Sequence, residues 1–85
     1  MASYSLEIKK SAAKELGDLA ARDCRRVAAR IEALATEPRP RGAEKLSGQH
    51  KYRLRQGVYR ILYQIDDQAR TVTIVKIAHR REVYR

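Results

Sequence analysis

The chain has neither tryptophan nor phenylalanine, and its 85 residues hold one cysteine, one methionine, two prolines and four glycines. A core must therefore draw its volume from leucine, isoleucine, valine, alanine and some of the five tyrosines. The lone Cys24 excludes an internal disulfide and a cysteine-rich zinc site, and it fits a reducing cytosol. No apolar stretch approaches the length of a membrane span, and "MASYSLEIKK" lacks the apolar segment of a signal peptide. The expectation is a cytoplasmic protein with no membrane partner. No internal repeat and no low-complexity tract is present. This length allows one domain, residues 1–85, with a single modest core.

Acidic residues are also scarce. Ten face nineteen basic ones, thirteen of them arginine, for a net charge of +9. The imbalance is uneven along the chain. Residues 1–37 carry seven bases and six acids, whereas 38–60 carry seven bases and only Glu44. A basic segment of this kind suggests a polyanionic partner, nucleic acid first. Solubility is the competing reading.

Periodicity supplies the elements. In "YSLEIKK" the alternation of Tyr4, Leu6 and Ile8 predicts a first strand. Ser11 is placed to cap a helix running to about Ala21, with Ala12, Leu16, Leu19 and Ala20 on one face. Asp23 is placed to cap a second, whose stripe is Cys24, Val27, Ala28, Ile31, Leu34 and Ala35. "EPRPRG" ends it, since proline disfavours helix at the residue before it. From residue 51 the period becomes two. "KYRLRQGVYRILYQID" predicts a hairpin turning at Gln56-Gly57, and "TVTIVKIA" a strand after the turn "DDQA". Tyr52 and Leu54 then face one way and Arg53 and Arg55 the other, while Tyr59, Ile61, Tyr63 and Ile65 oppose Arg60. A two-residue turn at Gln56-Gly57 sets Arg53 across from Arg60. The expected architecture is α+β. Two N-terminal helices pack on one face of a small, mostly antiparallel four-stranded sheet in the order β-α-α-β-β-β, leaving an open arginine face.

The last residues, "IAHRREVYR", concentrate chemistry where chains ordinarily fray. Arg53, Arg55 and Arg60, with Lys51 beside them, and the terminal His79, Arg80, Arg81 and Tyr84 are the candidate site. Arginine suits phosphate because its planar fork offers paired donors and keeps its charge at any working pH. It is a poor general base. Two distant histidines without a carboxylate cluster are weak evidence for a metal site.

"YRLRQGVYRILYQIDD" followed by "TVTIVKIAHRREVYR", with the preceding "EKLSG" and the helix pair, resembles the RelE toxins of bacterial toxin–antitoxin pairs over essentially the whole chain. The hairpin pattern belongs to the wider RelE/ParE superfamily. The terminal His-Arg-Arg-Glu-Val-Tyr carries the RelE likeness. What this resemblance implies is the toxin of a type II system, an endoribonuclease cutting messenger RNA in the ribosomal A site without metal or cofactor. It also implies a cognate antitoxin that blocks the toxin, with operator DNA reached only through the antitoxin complex. Carried over by residue, Arg53 and Arg55 occupy hairpin positions that are often lysine in relatives. Arg60 matches the arginine of the Tyr-Arg-hydrophobic-hydrophobic-Tyr strand. Arg80 matches the arginine ending the last strand, with Arg81 competing for that place, and Tyr84 matches the C-terminal tyrosine. His79 stands where some relatives have lysine or another residue.

Metal-free cleavage proceeds by attack of the 2′-hydroxyl on its own phosphate. One group must take that proton, another must steady the charge on phosphorus, and a third must protonate the leaving 5′-oxygen. Arg60 and Arg80 suit charge stabilisation. Lys51, Arg53, Arg55 and Arg81 suit RNA binding, and Tyr84 and His79 suit proton handling with the division between them open. Two other functions compete: a ParE-like inhibitor of DNA gyrase without nuclease activity, and a non-catalytic RNA-binding module.

Overall fold

Backbone pairing decides where the first helix starts. In the computed structural model, which describes residues 3–46 and 50–79, strand β1 spans Ser5–Ile8. Its pairing with the last strand continues to Lys9, whose N–H donates to the Ile74 carbonyl at 3.0 Å. Helix α1, Lys10–Gly17, therefore begins at once, with Lys9 rather than Ser11 at the cap. It also stops earlier than the apolar spacing suggests. The Leu19 N–H turns back to the Leu16 carbonyl, and extended backbone at Ala20 opens a separate helix α2, Ala21–Ala33. Asp23 lies in the first turn of α2 rather than at its cap, which is Ala20, and its carboxylate accepts the Tyr59 hydroxyl at 3.3 Å.

Strand β2 is Glu44–Lys45, β3 Lys51–Gln56, β4 Tyr59–Asp66 and β5 Thr71–His79. They form one five-stranded sheet in the order β1-β5-β4-β3-β2. Only β1 runs parallel to its neighbour. The α+β class and the helix pair agree with expectation. The additional strand is β2, too short to leave a periodic signature, paired through Glu44↔Arg53 and Lys45↔Tyr52.

The helices cover one sheet face. Ala12, Val27, Ile31 and Leu34 meet Tyr52, Leu54, Ile61, Tyr63, Ile65, Val72, Ile74 and Ile77 in a single buried cluster. Each fully buried aliphatic side chain contributes roughly 1.5–3 kcal/mol, so this cluster supplies most of what a chain of this size can bury. Tyr63 stacks on Tyr52 with centroids 5.7 Å apart, and its hydroxyl donates to the Pro38 carbonyl at 2.7 Å. That bond holds the linker leaving α2 against the sheet. Arg39 continues the clasp, donating to Tyr52 Oη at 2.9 Å and to Asp67 Oδ2 at 2.9 Å.

Two backbone details set the registers that matter. The β3–β4 turn is centred on Gly57-Val58, one residue later than expected, and Gly57 has φ +61°. A positive φ at the first central position is what a type II′ hairpin asks of glycine. Arg55, not Arg53, thus pairs with Arg60, and Arg53 pairs with Leu62. In the β4–β5 ladder Tyr63 pairs with Ile74 but Leu62 with Lys76, leaving Val75 as an extra residue. This bulge reverses the alternation of β5. Val72 and Ile74 are buried before it, and Ile77 after it.

Candidate functional site

The pleat separates side chains by parity. On β3, Tyr52 and Leu54 face the helices, so Lys51, Arg53 and Arg55 project from the outer face. On β4, Tyr59, Ile61, Tyr63 and Ile65 face the helices, so Arg60, Leu62 and Gln64 share that outer face. The registers then lay out one transverse row as Arg55, Arg60 and Ala78. The next row is Glu44, Arg53, Leu62 and Lys76, and the third holds Lys51, Gln64 and Thr73.

Arg60 is 3% exposed, the one charged residue in the buried set among the described residues, while its cross-strand neighbour Arg55 is exposed. The expectation of an open arginine face is corrected here. Arg60 is buried in the row between Arg55 and the small Ala78, Arg53 is half-buried, and Arg55 is exposed. Arginine keeps its charge under such burial, since its pKa leaves no neutral form within reach. A buried guanidinium beside an exposed one is an arrangement that can take an anion from two sides.

Arg53 is engaged by an acid that the sequence reading did not single out. Its Nε and Nη2 both donate to Glu44 Oε1, at 3.0 and 2.7 Å. These bonds hold the Glu44 carboxyl below the usual carboxylate range, with Arg55 and Arg60 adding to the effect through space. Glu44 therefore stands within the field of all three arginines. No periodic signal could have revealed it, because β2 is two residues long.

His79 lies on the other face. It pairs with Tyr59, and the two rings meet edge to face at 5.7 Å with an 82° interplanar angle. Burial and the nearby Asp23 push the Tyr59 phenol upward. The bulge at Val75 is the cause of this placement. Unbroken alternation from Thr71 and Thr73 would have carried His79 to the arginine side. The structure thus gathers Lys51, Arg53, Arg55 and Arg60 on one face and sets His79 behind it. Arg80, Arg81 and Tyr84 lie outside the described residues.

A depression of about 870 Å³ is at the far end of the outer face, lined by Glu7, His50, Gln64, Asp66, Asp67 and Thr73 among others. Its three carboxylates repel phosphate, so it is not the anion site. Neither aspartate reaches Arg60. Asp67 takes Arg39 and the Tyr4 hydroxyl, and Asp66 accepts the Ala69 N–H. Among the described residues no group of three or more His, Cys, Asp or Glu is placed to hold a metal ion.

This two-helix, mostly antiparallel α+β fold is shared with solved toxins. The model of the ParE toxin of type II toxin–antitoxin systems, parDE, matches residues 6–84. The toxin of the archaeal RelE–RelB complex from Pyrococcus horikoshii is similar, with a TM-score of 0.84 at 30% identity over 93% of this chain and 97% of that one. A chain of the RelBE2 toxin–antitoxin complex of Mycobacterium tuberculosis gives 0.80 at 30% identity, covering 92% and 99%. Isolated Escherichia coli RelE toxin gives 0.79 at 26% identity, covering 95% and 90%. Toxin RelG of Mycobacterium tuberculosis is 52% identical over 31 residues, a segment spanning 36% of each chain. The chain belongs to the RelE/ParE family of toxins of type II toxin–antitoxin systems.

Proposed function

We propose that this toxin is a ribosome-dependent endonuclease of messenger RNA, cutting in the A site. The observation that carries the reading is the side-by-side placement of Arg55 and the buried Arg60, in one row with Ala78 at the end of β5. Arg80 follows Ala78 by two residues in the chain. In this reading the three guanidiniums surround the scissile phosphate. The 2′-oxygen attacks phosphorus, the P–O5′ bond breaks, and a 2′,3′-cyclic phosphate and a 5′-hydroxyl result. Arginines neutralise the added negative charge on the phosphoryl oxygens, which is where such catalysis gains most.

Tyr84 takes the 2′-hydroxyl proton in this scheme, since the arginines near it in the chain favour a phenolate, and water protonates the leaving 5′-oxygen. His79 enters differently from the sequence expectation. Held against Tyr59 behind the sheet, it anchors the strand end from which Arg80 and Tyr84 follow. Lys51, Arg53 and Arg81 bind flanking phosphates, Arg53 after exchange of Glu44 for the RNA, and Arg55 positions the scissile one. A cognate antitoxin that covers the arginine face is part of the proposal, supported by the RelE–RelB pairing of the similar structures.

The ParE match favours a second reading, inhibition of DNA gyrase without chemistry. One paired experiment separates the two. The purified toxin is incubated with ribosomes carrying a message, whose ends are mapped, and in parallel with gyrase in a supercoiling assay. New ends at A-site codons support the nuclease. Intact message with blocked supercoiling supports the gyrase reading.

A further inference from the structure

The near balance of charge in residues 1–37 conceals a segregation that only the fold reveals. Three acids of the helical segment have partners. Glu15 accepts the Ile77 N–H and pairs with Lys76. Asp18 pairs with Lys14, and Asp23 accepts the Tyr59 hydroxyl. Arg22, Arg25 and Arg26 are exposed, and none takes part in an ion pair among the described residues. They sit at i, i+3 and i+4 of α2, so they form one ridge. Val27 and Ile31 bury the opposite stripe and fix that ridge outward. Like charges so spaced work against the helix that bears them, which makes an external anion the natural complement.

The ridge is not isolated from the arginine face. Asp23, Arg26 and Val27 line a depression of about 210 Å³ with Gln56, Gly57, Val58 and Tyr59. The basic edge of α2 therefore abuts the β3–β4 turn, and Arg55, two residues before Gly57, projects from the outer face at that same end of the hairpin. Val58, at the turn, is 43% exposed. An apolar side chain thus stands between two cationic surfaces, where it can meet the face of a base or ribose.

We infer that Arg22, Arg25 and Arg26 form a second phosphate-binding surface, which grips the backbone of folded RNA beside the strand presented to Arg55 and Arg60. Arginine forks suit phosphate, and the continuity around the hairpin end lets one folded polyanion meet both surfaces. This inference rests on the ribosome reading above and extends it. The outer face does the cutting, and α2 supplies affinity for the surrounding RNA.

The test compares wild type with Arg22→Gln/Arg25→Gln/Arg26→Gln, a change to good helix formers, with the melting profile confirming the fold. Ribosome cosedimentation is measured from 50 to 200 mM salt, and cleavage is followed across ribosome concentrations. Three lost phosphate contacts lower the salt slope by about 2–3, so wild-type affinity falls roughly 20- to 40-fold more than the variant's across that range. KM rises and kcat at saturation stays unchanged. Equal slopes and equal KM overturn the inference, and so does a variant that binds ribosomes normally but loses an acidic protein partner. A wild-type toxin that binds no ribosome overturns the ribosome reading itself, and this inference with it.

Discussion

Arg55 and Arg60 face each other directly across the β3–β4 hairpin, cation opposite cation, one exposed and the other buried. Like charges in that position weaken a sheet. The proposed anion site accounts for a pairing that otherwise only costs stability. Arg55→Gln is expected to raise stability by roughly 0.2–1 kcal/mol while slowing message cleavage. Urea unfolding and single-turnover cleavage on the same variant check both signs.

His79 packs on Tyr59 behind the arginine face, so its removal should cost packing rather than proton transfer. His79→Ala is expected to lose about 0.5–1.5 kcal/mol of stability, and His79→Phe to recover most of it. The pH–rate profile of cleavage should keep its shape in both. A missing limb in the His79→Phe profile would assign the imidazole a proton-transfer role instead.

Three carboxyls are held below their ordinary range. For Glu44 the cause is the Arg53 hydrogen bonds, and for Asp67 those from Arg39 and then Tyr4. For Glu15 burial pulls the other way, but Lys76 and the Ile77 N–H prevail. A depressed folded pKa stabilises above the unfolded value and loses that stabilisation as pH falls through the folded one. Stability should therefore be level near neutrality and decline below about pH 4.5, the ordinary carboxylate range. Asp67→Asn should flatten part of that decline, read as the urea midpoint against pH.

Gly57 carries φ +61°, and a Cβ there would meet nothing within 4 Å. The penalty for Gly57→Ala is thus purely backbone, about 1–2 kcal/mol, or a fall in Tm of several degrees for a domain this small. Gly57→Asn should cost less, because asparagine tolerates positive φ better. Differential scanning calorimetry of the two variants gives the order.

Much of this fold was legible because helices and long strands repeat. The stripe through Val27, Ile31 and Leu34 and the alternation of Tyr59, Ile61, Tyr63 and Ile65 each span several periods, and all seven residues are buried or packed on the core. Single-residue events were not legible. Gln-Gly gave the turn one residue early, since sequence does not say which central position takes the positive φ. That slip exchanged Arg53 for Arg55 as the partner of Arg60. The bulge at Val75 has no residue signature, yet it decides which side of the sheet receives His79. Glu44 became visible only when a two-residue strand laid it beside Arg53.

In the proposed mechanism Arg60 is the fork at the scissile phosphate, and single-turnover cleavage by Arg60→Lys at saturating ribosomes tests this most directly. Lysine keeps the charge and loses the planar fork. The expected result is a fall in rate on the order of 10²-fold with ribosome affinity nearly unchanged. A folded Arg60→Lys toxin that cuts at the wild-type rate would contradict it.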